Sequence, residues 1–183
     1  MNVFSRKWMR IMVFVVSILA VFSFSACDTL PEECASYLSS PFRAEVEGYA
    51  DGEKISATVF CDPTEHKTKE IYNVLTVTFS EGRALEGITA SLRSDGKATV
   101  RLRDSSEELP LYSGLTEPFL ALCPKAEPYS VRKTDEGFEA EWREEEMSAI
   151  LYFGKDGIIK RAEGVVSGRQ IKLNVTSFER ISQ

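Results

Sequence analysis

From Phe42 onward the chain alternates apolar and polar side chains with period two, which restricts it to strands with one buried face. Phe42, Ala44 and Val46 point one way, and Arg43, Glu45 and Glu47 the other. The same pattern recurs in Ile55, Ala57, Val59 and Cys61, in Leu75, Val77 and Phe79, and in Ile88, Ala90 and Leu92. It continues through Ala98, Val100 and Leu102, then Phe138, Ala140 and Trp142, then Met147, Ala149, Leu151 and Phe153. Turn dipeptides punctuate the runs: Asp51-Gly52, Asp95-Gly96, Asp156-Gly157 and Ser167-Gly168, with Glu144-Glu145-Glu146 as a charged turn. The pattern predicts about ten strands joined mostly by short turns, an antiparallel meander. No strand-helix-strand rhythm and no internal repeat interrupts it.

One stretch breaks the rule. After Asp104 the alternation stops, and Leu115, Phe119 and Leu122 fall at the spacing of one helical face, with Pro118 near the start and Pro124 at the end. That spacing predicts one short helix over 113–123. A sheet of ten strands twists and curls, so its concave face needs cover. The expected fold is therefore mainly β: a strongly curved antiparallel meander, a half-open barrel wrapped around one helix.

The N-terminus reads as an address. Arg6, Lys7 and Arg10 precede an apolar run from Ile11 to Phe24, and Ser25-Ala26 then presents small side chains. Phe24-Ser25-Ala26-Cys27 resembles the lipobox of bacterial lipoproteins, with Phe24 where an aliphatic residue is usual. The resemblance implies a diacylglyceryl group on Cys27 after cleavage, and two acyl chains suffice for stable anchoring. Plain secretion and an uncleaved anchor are the competing readings. The apolar run of 14 residues is short of the roughly 20 that span hydrocarbon. The organisation expected is a signal peptide over 1–26, a polar lipidated tether over 27–40 and a β domain over 41–183. That places the protein on the extracytoplasmic face of the cell membrane. Asp28 would bear on sorting only in a cell with two membranes.

Lipid anchor, meander and mid-chain helix together resemble the LolA/LolB-type half-barrel of cell-envelope lipoproteins. They are similar also to small lipoproteins of endospore-forming bacteria, including the germination lipoprotein GerS. Phe42-Arg43-Ala44-Glu45-Val46 with Asp51-Gly52, Leu75-x-Val77-x-Phe79-Ser80, Leu85-x-Gly87-Ile88-Thr89 and Asp95-Gly96 carry the likeness, over roughly residues 40–180. These are strand and turn patterns, so the resemblance implies a fold and no binding residue beyond Cys27.

Charge and chemistry narrow the function. The chain carries 22 basic and 28 acidic residues, for a net charge of −6. Removing the signal takes three bases and no acid, which leaves a body that repels phosphate, so a nucleic-acid partner is excluded. Of the four cysteines, Cys27 is assigned to lipid and Cys34 to an exposed place in the tether. Cys61 and Cys123 either form the one bridge to be expected or serve as small buried hydrophobes. No C-x-x-C pair, nucleophile elbow or glycine-rich phosphate loop occurs, and the single histidine, His66, lies in a polar loop. No catalytic residue, metal site or cofactor is expected. Two functions compete. One is a cleft for an apolar ligand or lipid, with Leu115, Phe119, Leu122 and Trp142 as its walls. The other is a platform that binds and localises a cell-wall or germination enzyme.

Overall fold

A computed structural model describes residues 30–35, 40–63, 71–81, 85–102, 105–109, 114–125 and 127–181. Cys27, His66, all of the signal and half of the tether lie outside the described residues. The chain runs α1 (Glu32–Ala35), β1 (Phe42–Ala50), β2 (Glu53–Cys61), β3 (Asn73–Glu81), β4 (Ile88–Arg93), β5 (Ala98–Leu102) and β6 (Ser105–Leu109). The 3-10 helix η1 (Glu117–Leu122) follows, then β7 (Ser130–Lys133), β8 (Gly137–Glu144), β9 (Met147–Gly154), β10 (Ile159–Val166) and β11 (Arg169–Arg180).

The alternation translates directly into burial. Along β1 every second residue from Phe42 to Val46 is buried and its neighbours are exposed. β9 repeats the pattern from Met147 to Phe153. Two turns set the register of their hairpins. Asp51 and Gly52 have φ of 50° and 80°, and Ser167 and Gly168 have 49° and 78°. Two consecutive positive φ values give the primed turn whose twist matches that of the flanking strands.

All neighbours in the sheet are antiparallel, and the order is β6-β5-β4-β3-β2-β1-β11-β10-β9-β8-β7. This refines the expected meander. β6 and β7 follow one another in sequence yet stand at opposite edges, so the sheet is open. Its two meandering arms, β1–β6 and β7–β11, are sewn together where β1 pairs with β11, from Phe42 opposite Arg180 to Ala50 opposite Ile171. β6 also adds a strand where none was expected. Its Ser-Ser-Glu-Glu run carries no apolar alternation that would mark a strand.

The sheet is strongly bent. β3 and β10 are four strand spacings apart, roughly 19 Å in a flat sheet at about 4.8 Å each. Yet η1, roughly 12 Å long at about 2 Å per residue, packs on β9 and β10 while its Phe119 ring lies 5.9 Å from the Phe79 ring of β3. Only a sheet curled around η1 brings both walls to one short helix.

Two expectations need correction. The helix is 3-10 and spans Glu117–Leu122, shorter than the predicted 113–123. Pro118 lacks an N–H and Pro124 stops extension, so too few residues remain for i→i−4 bonding to outweigh the tighter i→i−3 turn. Cys34, expected on an exposed tether, is 0% exposed and part of the core. The one-turn helix α1 carries it inward, with the Cys34 N–H donating to Pro31 O at 2.9 Å, and Leu30 packs against the same core.

Candidate functional site

The concave face of the sheet and η1 together form the site that the sequence singles out. η1 starts after Thr116, and Pro118 presets φ in its first turn. Phe119 and Leu122, three residues apart, share one face of a 3-10 turn and are 1% and 0% exposed. Leu115, one turn upstream, is half-buried against the core. Trp142 on β8 is 0% exposed, its ring 6.5 Å from that of Phe153 on β9. All four residues expected to wall a cleft thus meet one continuous core.

β9 and β10 accommodate the plug by presenting small residues on the inner face: Ala149, Ala162 and Gly164. Gly164 has φ of +156°, and a Cβ there would run into Ser148 O on the neighbouring strand. Full burial of Phe119 and Leu122 contributes about 1.5–3 kcal/mol each, so η1 is held firmly even before its ends are fixed.

Both ends are fixed. At the exit Cys123 is joined to Cys61 of β2 in a disulfide, with Cα atoms 6.7 Å apart and a sequence separation of 62. At the approach to η1, Arg169 Nη1 donates to Gly114 O at 2.5 Å. Arg169 faces Asp51 at 3.8 Å, and Asp51 Oδ1 accepts from the Gln170 N–H at 3.0 Å. The tight turn between β1 and β2, the start of β11 and the start of the plug are thereby tied together. Just beyond the exit, the Lys125 N–H donates to Glu144 Oε1 at 3.0 Å, which docks the returning chain on β8.

Sequence reasoning missed this clamp. Asp51 and Gln170 are 119 positions apart, and their contact depends on the β1–β11 pairing, which no local pattern announces. Phe79 was visible as a core residue of its strand but not as the partner of Phe119. The Glu144–Glu146 cluster forms the β8–β9 hairpin end, as its charge suggests. Among the described residues, no group of three or more His, Cys, Asp or Glu could hold a metal ion, and no helix is long and apolar enough to cross a membrane.

Neither a family model nor a curated protein matches the chain. Solved structures with a similar chain course include an uncharacterized conserved protein from Thermus thermophilus. It has 18% identity and a TM-score of 0.48, with 83% of this chain and 85% of that one covered. A DUF1329 family protein from Desulfovibrio piger has 8% identity and a TM-score of 0.40, covering 81% and 90%. A domain described as an outer membrane lipoprotein-sorting protein, from Vibrio parahaemolyticus, has 7% identity and a TM-score of 0.37, covering 82% and 90%. At these TM-scores the likenesses bear on neither ligand nor activity.

Proposed function

We propose that this protein is a membrane-anchored, extracytoplasmic lipoprotein without enzymatic activity that holds an apolar ligand, such as an acyl chain, between its curved sheet and η1. The observation that carries the reading is the plug itself. A six-residue 3-10 helix fills the groove between two sheet arms with Phe119 and Leu122, and those side chains occupy the volume an acyl chain would take. A ligand enters by displacing η1 from β9 and β10, and Leu115, Phe119, Leu122 and Trp142 then line its path. The Cys61–Cys123 bridge limits how far η1 swings, because it ties the C-terminal end of the plug to β2. The acylated Cys27 would keep the cleft beside its lipid source.

The test is the fluorescence of a hydrophobic probe with the unacylated protein, before and after Phe119→Ala. Saturable binding that tightens when the phenyl ring is removed supports the cleft. A protein that binds no probe in either form loses this reading.

A second reading is favoured by the complete burial of Phe119, Leu122 and Trp142 in the closed form. On it, the body is a rigid platform that localises a cell-wall or germination enzyme, and the open sheet edges at β6 and β7 serve as docking strips. Crosslinking in intact cells that recovers a stable envelope partner, combined with no probe binding, would select it.

A further inference from the structure

We propose that the Cys61–Cys123 disulfide is a redox clasp on the cleft. Oxidised, it holds η1 down and keeps a ligand out. Reduced by a dithiol, it lets the plug yield. The inference rests on the cleft reading above and concerns what decides when that cleft opens.

The chain leaves one edge of the sheet at Leu109, the end of β6, and rejoins the opposite edge at Ser130, the start of β7. η1 lies on this crossing, and Cys123 is the one cysteine between the two edges. Its bond to Cys61 is therefore the only covalent fastening of the crossing to the sheet. η1 packs on β9 and β10, whereas the bond reaches β2, three strands beyond β10 in the sheet order. The plug is thus held from both arms, and a ligand that slides between it and β9–β10 pushes against that fastening. The other holds are noncovalent: Arg169 Nη1 on Gly114 O, the Lys125 N–H on Glu144 Oε1 at 3.0 Å, and the buried Phe119 and Leu122. Those contacts break and re-form as a ligand passes, and the bond does not.

Reduction spares the scaffold. Cys61 stands opposite Phe42 of β1 and Leu75 of β3, in ladders built on backbone hydrogen bonds that need no sulfur. The bond joins a strand to the crossing and no strand to another strand. Cutting it frees the crossing and leaves every strand pairing in place.

Access selects the sulfur that reacts. Cys123 is the less buried partner, 7% exposed against 0% for Cys61. A thiolate of a dithiol protein attacks Cys123 Sγ, the Cys61–Cys123 bond breaks, and Cys61 leaves as a thiolate that takes up a proton. The second thiol of the reductant loses its proton and attacks the reductant's own sulfur in the mixed disulfide. Cys123 then leaves as a thiolate and is protonated. Two electrons and two protons pass to the clasp, and the dithiol becomes a disulfide. Cys34 is the internal control. It is a free thiol, fully buried in the same core, and it sits on α1 rather than on the crossing.

The experiment uses the full acylated chain in phospholipid vesicles that carry a photoactivatable fatty acid. Samples with and without dithiothreitol are crosslinked by light, alkylated with iodoacetamide and mapped by mass spectrometry, with crosslinks counted on peptides bearing Phe119 or Trp142. The expected result is that dithiothreitol makes Cys123 alkylatable, leaves Cys34 unlabelled and raises crosslinking several-fold. The Cys61→Ser, Cys123→Ser double variant should crosslink at the raised level with or without reductant. A bond that resists dithiothreitol in the folded protein, or labelling of Cys34 together with Cys123, overturns the clasp, because the bond is then part of the core alone. Equal crosslinking in the two redox states also overturns it and leaves the cleft reading standing. No crosslinking in any state, the double variant included, removes the cleft reading and the clasp with it.

Discussion

The two arms of the sheet are built on the same strand pattern and finished differently. In β7–β11 the inner face is closed. Trp142, Leu151, Phe153, Ile159 and Leu173 are at most 2% exposed, and η1 packs on β9 and β10. In β1–β6 burial fades with distance from the centre. Val59, Leu75 and Val77 are fully buried, Ile88, Leu92 and Val100 are half-buried, and Leu102 is 49% exposed. The outer faces differ too. β2, β3 and β4 present hydroxyl pairs, Ser56–Ser80 at 3.0 Å, Thr76–Ser91 at 3.1 Å and Thr78–Thr89 at 3.2 Å. β7–β11 carry charge pairs instead: Arg132–Glu139, Arg143–Glu141 at 2.7 Å and Lys172–Glu163 at 3.0 Å. The Arg143 guanidinium also lies 4.0 Å from the centre of the Tyr129 ring. Exposed pairs of either kind contribute about 0–1 kcal/mol, so the outer surface does not decide stability. What separates the arms is cover. One arm owns the plug, and the other is tied to it through the Phe79–Phe119 contact and the Cys61–Cys123 bridge.

The largest effect that tests this contrast is a core truncation in each arm. Trp142→Ala should cost about 3–5 kcal/mol in urea unfolding, because an indole with no solvent contact leaves a cavity that the surrounding strands cannot close. Leu92→Ala, on the half-buried side, should cost less than about 1.5 kcal/mol by the same area reasoning. Equal losses would show that cover by η1 is not what distinguishes the arms.

Cutting the covalent tie comes next. The Cys61→Ser, Cys123→Ser double variant should lose about 2–4 kcal/mol, since the bridge closes a long loop in the unfolded chain. Hydrogen exchange should place the loosening in one arm. Amides of β3–β6 should exchange faster while those of β8–β11 keep their protection, because η1 stays seated on β9 and β10 through buried side chains. Uniform acceleration would mean that the sheet opens as one unit.

Much of this contrast could be read from residue order, and some could not. The inner faces of β1, β2, β8 and β9 follow from alternation alone, and the Asp51-Gly52 and Ser167-Gly168 hairpins from the backbone preferences of their residues. The candidate cleft residues Phe119, Leu122 and Trp142 were visible as apolar anchors and do share one core. Three features were hidden. β6 carries Ser-Ser-Glu-Glu, a run without an apolar residue and so without a periodic trace. The β1–β11 pairing joins segments from opposite ends of the chain, and the Asp51–Arg169–Gly114 clamp exists only because of it. Docking of Leu30 and Cys34 was obscured by their polar neighbours, because a single helical turn is too short to show a face.

The smallest expected effect lies in the β9–β10 turn, where electrostatics can be isolated from packing. The Asp156 carboxylate is held below its ordinary range, first by the hydrogen bond from the Lys160 ammonium at 2.9 Å and then by the Ile158 N–H at 3.0 Å. A carboxylate whose pKa is lower in the folded chain adds stability above its unfolded value, and that stability is lost as pH falls through the depressed one. Its contribution should therefore be intact at neutral pH and decline from about pH 4 downward. The side chain is half exposed, so solvent keeps the effect small. Urea midpoints measured from neutral to acid pH should fall slightly less for Asp156→Asn than for the parent. Protection of the Ile158 amide, relative to its intrinsic exchange rate at each pH, should fall on acidification in the parent alone. Superimposable curves would mean that this carboxylate is decoupled from folding, and that the covered arm owes its stability at that turn to the buried Ile159 rather than to charge.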